Sequence, residues 1–134
     1  MVVGKSDLKD MMEKHDLRPS KSLGQNFVVD PNTILKIIRA ANIEKGEQIL
    51  EIGPGLGSLT SQLSVTSKVV AIELDRYLVP ALEEVLNHYG ERENVEIVQE
   101  DAMKIDWQAF FAQRQGVWKM VANLPYNIAT PLLV

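Results

Sequence analysis

The 134-residue chain has 46% hydrophobic and 24% charged side chains, enough to enclose one core and too little length for two. Its net charge of -4 gives no global attraction toward a polyanion, so a nucleic-acid contact has to come from a local patch. Cysteine is absent, which excludes disulfides and thiolate metal sites, and two isolated histidines make a poor metal-ligand set; with no apolar signal core and no run of about 20 apolar residues, a cytoplasmic chain without metal or membrane span is expected.

In chain order, residues 6–16 carry Leu8, Met11 and Met12 at helical spacing behind a Ser or Asp cap and predict a short amphipathic helix. Residues 17–27, with Pro19 and Gly24, read as a loop. Lys14, Arg18 and Lys21 fit either a local phosphate contact or a solvated loop. Asp30-Pro31 is a helix start, and Ile34, Leu35, Ile37, Ile38 and Ala41 continue a helix that ends near Gly46.

Four short apolar runs follow, 48–52, 68–74, 95–100 and 118–123, which predict strands buried on both faces. Helical spacing over 58–63, 77–89 and 107–113 supplies the crossovers, so the pattern is βαβαβαβ. Right-handed crossovers then give an α/β, mostly parallel sheet with helices on both faces. Thr130-Pro131 has the look of a further helix start, and the chain would stop one turn into it. His15 and His88 are assigned to solvated helix faces, and Trp107 and Trp118 to packing.

The ends of the four strands carry the chemistry. The first runs into Glu51-Ile52-Gly53-Pro54-Gly55-Leu56-Gly57, where glycines permit positive φ and close approach of a ligand to a helix N-terminus. Glu73 closes the second strand, 20 residues after Gly53, where a carboxylate would accept hydrogen bonds from both ribose hydroxyls of an adenosine. A dinucleotide site shares these two features. Two others separate it: the glycines run G-x-G-x-G, with Ser58 where the dinucleotide motif ends, and Glu51 suits a charged amino-acid group better than a pyrophosphate.

The third strand ends in Glu100-Asp101-Ala102, where a carboxylate can accept a hydrogen bond from the exocyclic amine of a cofactor's adenine. The fourth leads into Asn123-Leu124-Pro125-Tyr126, a corner that Pro125 makes rigid. There the Asn123 side chain and the Leu124 carbonyl would take the two hydrogens of an adenine N6 amine, freeing its lone pair for attack, while Tyr126 stacks on the base, a contact worth about 1–3 kcal/mol.

Lys21-Ser22-Leu23-Gly24-Gln25-Asn26-Phe27, the glycine turn, Glu73-Leu74-Asp75, Glu100-Asp101-Ala102 and Asn123 to Ile128 together resemble, in order, the motifs of the ribosomal RNA adenine N6-dimethyltransferases, over residues 17–134. Leu124 and Ala129-Thr130-Pro131-Leu132 look like the bacterial small-subunit type more than the macrolide-resistance type. The resemblance implies a Rossmann-like class I S-adenosylmethionine-dependent methyltransferase fold and small-subunit ribosomal RNA as partner. It places Gln25, Asn26, Glu51, Gly53 and Gly55 at the methionine end of the cofactor, Glu73 on the ribose, Asp101 on the adenine and Asn123 at the reacting amine; Phe27 and Tyr126 border the target base.

By the same resemblance residues 1–30 form an N-terminal helix and loop, and 31–134 a partial catalytic domain holding the first four strands, with later strands and a small helical domain lacking. The fourth strand is then expected to be an open edge, and the fragment to transfer methyl groups weakly or not at all. The competing readings are a noncatalytic ribosome-assembly or RNA-binding module of the same fold and a nicotinamide-dependent oxidoreductase.

Overall fold

The computed structural model describes residues 2–17 and 30–122, together with the backbone of 128–132. Helix α1 (Lys5–Lys14) buries Leu8 and Met12. Helix α2 (Pro31–Ala41) starts as expected, with Asp30 accepting the Asn32 N–H at 2.8 Å and Pro31 in the first turn. It ends five residues before Gly46, because Asn42 takes the left-handed conformation (φ 46°, ψ 55°) that terminates helices. Lys119 donates to the carbonyls of Ala41 and Asn42 and pairs with Glu47 at 3.1 Å, satisfying acceptors that the helix end leaves open.

The four expected strands are present: β1 (Gln48–Ile52), β2 (Val69–Glu73), β3 (Val95–Gln99) and β4 (Trp118–Ala122). Between them lie α3 (Ser58–Thr66), α4 (Val79–Tyr89) and α5 (Trp107–Ala112). The sheet order is β3-β2-β1-β4-β5, with the first four parallel. Successive strand residues face opposite sides of the sheet. Ile49, Val69, Ala71 and Val121 meet α2, α3 and α4 in one core, while Leu50, Val70, Ile72 and Trp118 meet Phe110 of α5 in another. Trp107 and Trp118 pack in that second core, with Trp118 Nε1 donating to the Arg114 carbonyl at 2.9 Å.

Two expectations are corrected. The strand at 95–99 is not buried on both faces: it is the sheet's edge, with Glu96 and Gln99 exposed. Residues 128–132, which include the proposed helix start at Thr130-Pro131, form instead a fifth strand, β5 (Ile128–Leu132), antiparallel to β4 with Ala122 opposite Ile128 and Trp118 opposite Leu132. An unpaired β4 edge offers a ladder of donors and acceptors that outweighs a one-turn helix signal; Ile128 and Thr130 favour extended backbone, and an edge strand tolerates Pro131. The open edge expected of β4 is thus covered by the chain itself.

Helices α3 and α4 approach closely on small residues. A Cβ added at Gly90 would lie 2.9 Å from Ser61 Cα and 3.0 Å from the Ser61 carbonyl oxygen, both backbone atoms that cannot swing aside. Gly90→Ala is therefore expected to destabilise the fold by about 2 kcal/mol in urea unfolding; an unchanged midpoint would show that the two helices part without cost. No described helix is long and apolar enough to cross a membrane.

Candidate functional site

The parallel register sets the ends of β1 and β2 side by side: Ile52 pairs with Ile72, and the Gly53 N–H donates to the Ile72 carbonyl at 2.9 Å. Beyond that bond the chain turns through Gly53, Gly55 and Gly57, all left-handed at φ 70°, 59° and 87°. These conformations are why the turn is built of glycine. Gly57 has a second reason, because a Cβ there would sit 2.4 Å from Leu82 Cδ1 and force that fully buried side chain to repack. At Gly53 a Cβ would meet nothing within 4 Å among the described residues, which leaves room beside the turn for a ligand to approach the backbone. Leu56 anchors the turn from the other side, buried with Leu8 of α1 and Leu78, Ala81 and Val85 at and in α4.

Glu73 is buried, and its two oxygens close the turn. Oε1 accepts the Gly55 N–H at 3.2 Å and Oε2 the Asp75 N–H at 2.9 Å. Burial raises its pKa, and these N–H bonds oppose the rise by favouring the ionised form. Each carboxylate oxygen has a second lone pair, so both can still accept a hydroxyl hydrogen.

Glu51, fully buried on β1, accepts the hydroxyl hydrogen of Thr60, a buried residue of α3, at Oε1. Its Oε2 is buried without a hydrogen-bond partner among the described residues. Burial pushes the Glu51 carboxyl up to about 7, the Thr60 bond pulls the other way, and the negative charge of Glu73 adds to the rise. A buried carboxylate oxygen without a donor is costly, which makes this the place for a cationic group. Sequence reading did not find Thr60, since a serine- and threonine-rich helix start carries no signal for which hydroxyl turns toward the sheet.

One strand further out, Glu100 donates its N–H to the Glu73 carbonyl at 3.1 Å, tying the end of β3 to β2. Half-buried Asp101 caps the 3-10 turn 102–104, with Oδ1 accepting the Met103 N–H at 2.9 Å. The cap uses one oxygen of the carboxylate. Leu74 after Glu73 and Met103 after Asp101 are strongly exposed apolar side chains beside these carboxylates, at 61% and 92%. They went unnoticed in the sequence, where a lone Leu or Met in a loop is ordinary.

The structure therefore brings Glu51, Gly53, Gly55 and Glu73 into one site, with Asp101 at the next strand end. Gln25, Asn26, Phe27, Asn123, Leu124 and Tyr126 lie outside the described residues; Asn123 follows Ala122, which pairs with Ile52 at the start of the glycine turn. Two peripheral groups gain partners or fall outside the described residues. Lys14, largely exposed, pairs with Glu84, and Arg18 and Lys21 are outside the described residues. His15 is half-buried and not simply solvated, with its Nε2 2.8 Å from Glu84 Oε2.

A site with an orphaned buried carboxylate oxygen at the glycine turn, a two-oxygen acceptor on the adjacent strand end and a third carboxylate beyond fits a nucleoside that bears a cationic amino-acid group, as S-adenosylmethionine does. The model of the family described as ribosomal RNA adenine dimethylase matches residues 17–134. A ribosomal RNA small subunit methyltransferase A from Clostridioides difficile is 43% identical over 129 residues, covering 94% of this chain and 44% of that protein. Its counterpart in Moorella thermoacetica is 46% identical over 132 residues, covering 92% and 45%. The chain thus spans less than half the length of these curated relatives. Among solved structures, a dimethyladenosine transferase from Plasmodium falciparum superposes with TM-score 0.57 at 30% identity, covering 72% of this chain and 32% of that one. The 23S rRNA methyltransferase ErmE superposes with TM-score 0.53 at 24% identity, covering 75% and 49%.

Proposed function

The chain belongs to the ribosomal RNA adenine dimethylase family and has the Rossmann-like methyltransferase fold, and we propose that it forms the cofactor-binding part of a cytoplasmic enzyme that transfers methyl groups from S-adenosylmethionine to N6 of adenines in small-subunit ribosomal RNA. The observation that carries this reading is the convergence at the carboxyl ends of β1 and β2 of the glycine turn and Glu73, joined by the bond from the Gly55 N–H, with a Glu51 oxygen beneath that has no partner among the described residues.

When bound, the cofactor supplies a sulfonium-activated methyl group, so the protein's task is alignment more than acid–base chemistry. Glu73 holds the ribose hydroxyls against the turn. Asp101 accepts from the adenine amine, and Leu74 and Met103 offer apolar surface to its ring. Glu51 neutralises the ammonium end, with Gln25 and Asn26 alongside. Asn123 and the Leu124 carbonyl accept the two hydrogens of the target amine, which leaves the nitrogen lone pair free to attack; Tyr126 and Phe27 hold the base plane. Once alkylated, the target nitrogen would carry a positive charge that makes its N–H strongly acidic, so its proton would pass to water without a dedicated base.

The test is transfer of labelled methyl groups from S-adenosylmethionine into unmodified small-subunit ribosomal RNA, read as methylated nucleosides after digestion. N6-methylated adenine, lost in Asn123→Ala, is the expected product, and its formation by these 134 residues alone is expected to be slow. Label in a different base, or a yield indifferent to Asn123→Ala, would overturn the reading.

A further inference from the structure

The Thr60–Glu51 pair is more constrained than a cofactor contact requires. Thr60 fixes Oε1 from α3, so the carboxyl cannot rotate to satisfy Oε2 without breaking that bond. Nothing around it supplies a positive charge among the described residues. Helix α3 has no charged residue. By register β2 places Ala71 and β4 places Val121 beside Glu51. Lys119 of β4 is committed to the end of α2 and Glu47, and Lys36 and Arg39 of α2 are exposed. On α4, Glu83 and Glu84 are paired with Arg92 and with Lys14 and His15. The charged group that does act on Glu51 is Glu73, of the same sign.

We propose that Thr60 and Glu51 form a proton-coupled clasp: Thr60 pins one carboxyl oxygen, and a ligand ammonium arriving at the other displaces the proton that Glu51 holds in the free protein. The proposal deepens the cofactor-site reading and rests on it. The exchange balances simply. The neutral carboxyl loses its proton to the buffer, and the resulting carboxylate pairs with the ammonium. Burial that pushes the Glu51 carboxyl up to about 7 is what keeps that proton in place in mildly acid solution. Thr60 is a positioning residue in this scheme, acting through Glu51.

The test is calorimetric titration of the protein with S-adenosylhomocysteine and with 5′-methylthioadenosine, which lacks the amino-acid group, in buffers of different protonation enthalpy. Near pH 6, S-adenosylhomocysteine is expected to release close to one proton and methylthioadenosine none. Between about pH 5.5 and 7.5 the affinity for the first should rise about 20-fold and for the second stay level, because only Glu51 in its ionised form binds the ammonium. Glu51→Gln should flatten the profile. Thr60→Val, which removes a bond that favours ionisation, should move the midpoint to higher pH, and Thr60→Ser should restore it; a purely structural Thr60 would lower affinity without moving the midpoint.

A level S-adenosylhomocysteine profile with methylthioadenosine binding intact would overturn the clasp and leave the adenosine site standing. Failure of both ligands to bind the folded protein would overturn the two together.

Discussion

Replacing Glu51 with glutamine is expected to stabilise the unliganded protein increasingly as pH rises, by about 2–3 kcal/mol more at about pH 8 than at about pH 5 relative to the parent chain. The folded-state pKa of about 7 stands above the ordinary value of 4.5. The folded protein therefore binds more protons than the unfolded chain between those values, and the stability due to this group, fully present below about 4.5, is lost as pH climbs through about 7. Glutamine keeps an oxygen for the Thr60 hydroxyl and has no charge to bury. Urea unfolding of both proteins across this range measures the difference directly. Parallel stability curves would mean that Glu51 ionises in the folded state as easily as in the unfolded one.

Replacing Glu73 with alanine is expected to weaken S-adenosylhomocysteine binding by about 100-fold or more, measured by calorimetry. Two charge-assisted hydrogen bonds to ribose hydroxyls are lost, each worth about 1.5–3 kcal/mol. The Gly55 and Asp75 N–H groups lose their acceptors as well, so the turn loosens at the moment the ligand needs it. Glu73→Gln separates these effects: its side-chain oxygen can still take the Gly55 N–H, while its amide cannot accept from both ribose hydroxyls. An affinity within about threefold of the parent in both variants, with stability unchanged, would remove Glu73 from the site.

Most of the architecture was legible because each parallel strand is a short β-branched run bounded by a turn, and each crossover shows helical spacing. The glycine turn and the acids at 73 and 101 were legible for a related reason: in parallel α/β sheets the strand ends are where ligands gather, so position along the pattern predicts position in space. What stayed hidden depends on tertiary competition. Thr130-Pro131 carries a sound local helix signal, and only the presence of an unpaired β4 edge turns it into a strand. The exposure of β3 follows from its place in the sheet order, which its composition does not reveal. Thr60, His15 and Lys14 take their meaning from partners 9, 69 and 70 residues away, distances over which sequence spacing says nothing.

The proposed function requires three neighbouring strand ends to form one site for an adenosine carrying an amino-acid group. Titration of the protein with S-adenosylhomocysteine, with NAD as the comparison and Asp101→Ala as the variant, decides whether they do. Saturable binding of S-adenosylhomocysteine at one site, weakened about tenfold by the variant, with no heat from NAD, is the predicted result. Equal binding of NAD, or S-adenosylhomocysteine binding indifferent to Asp101, would contradict it.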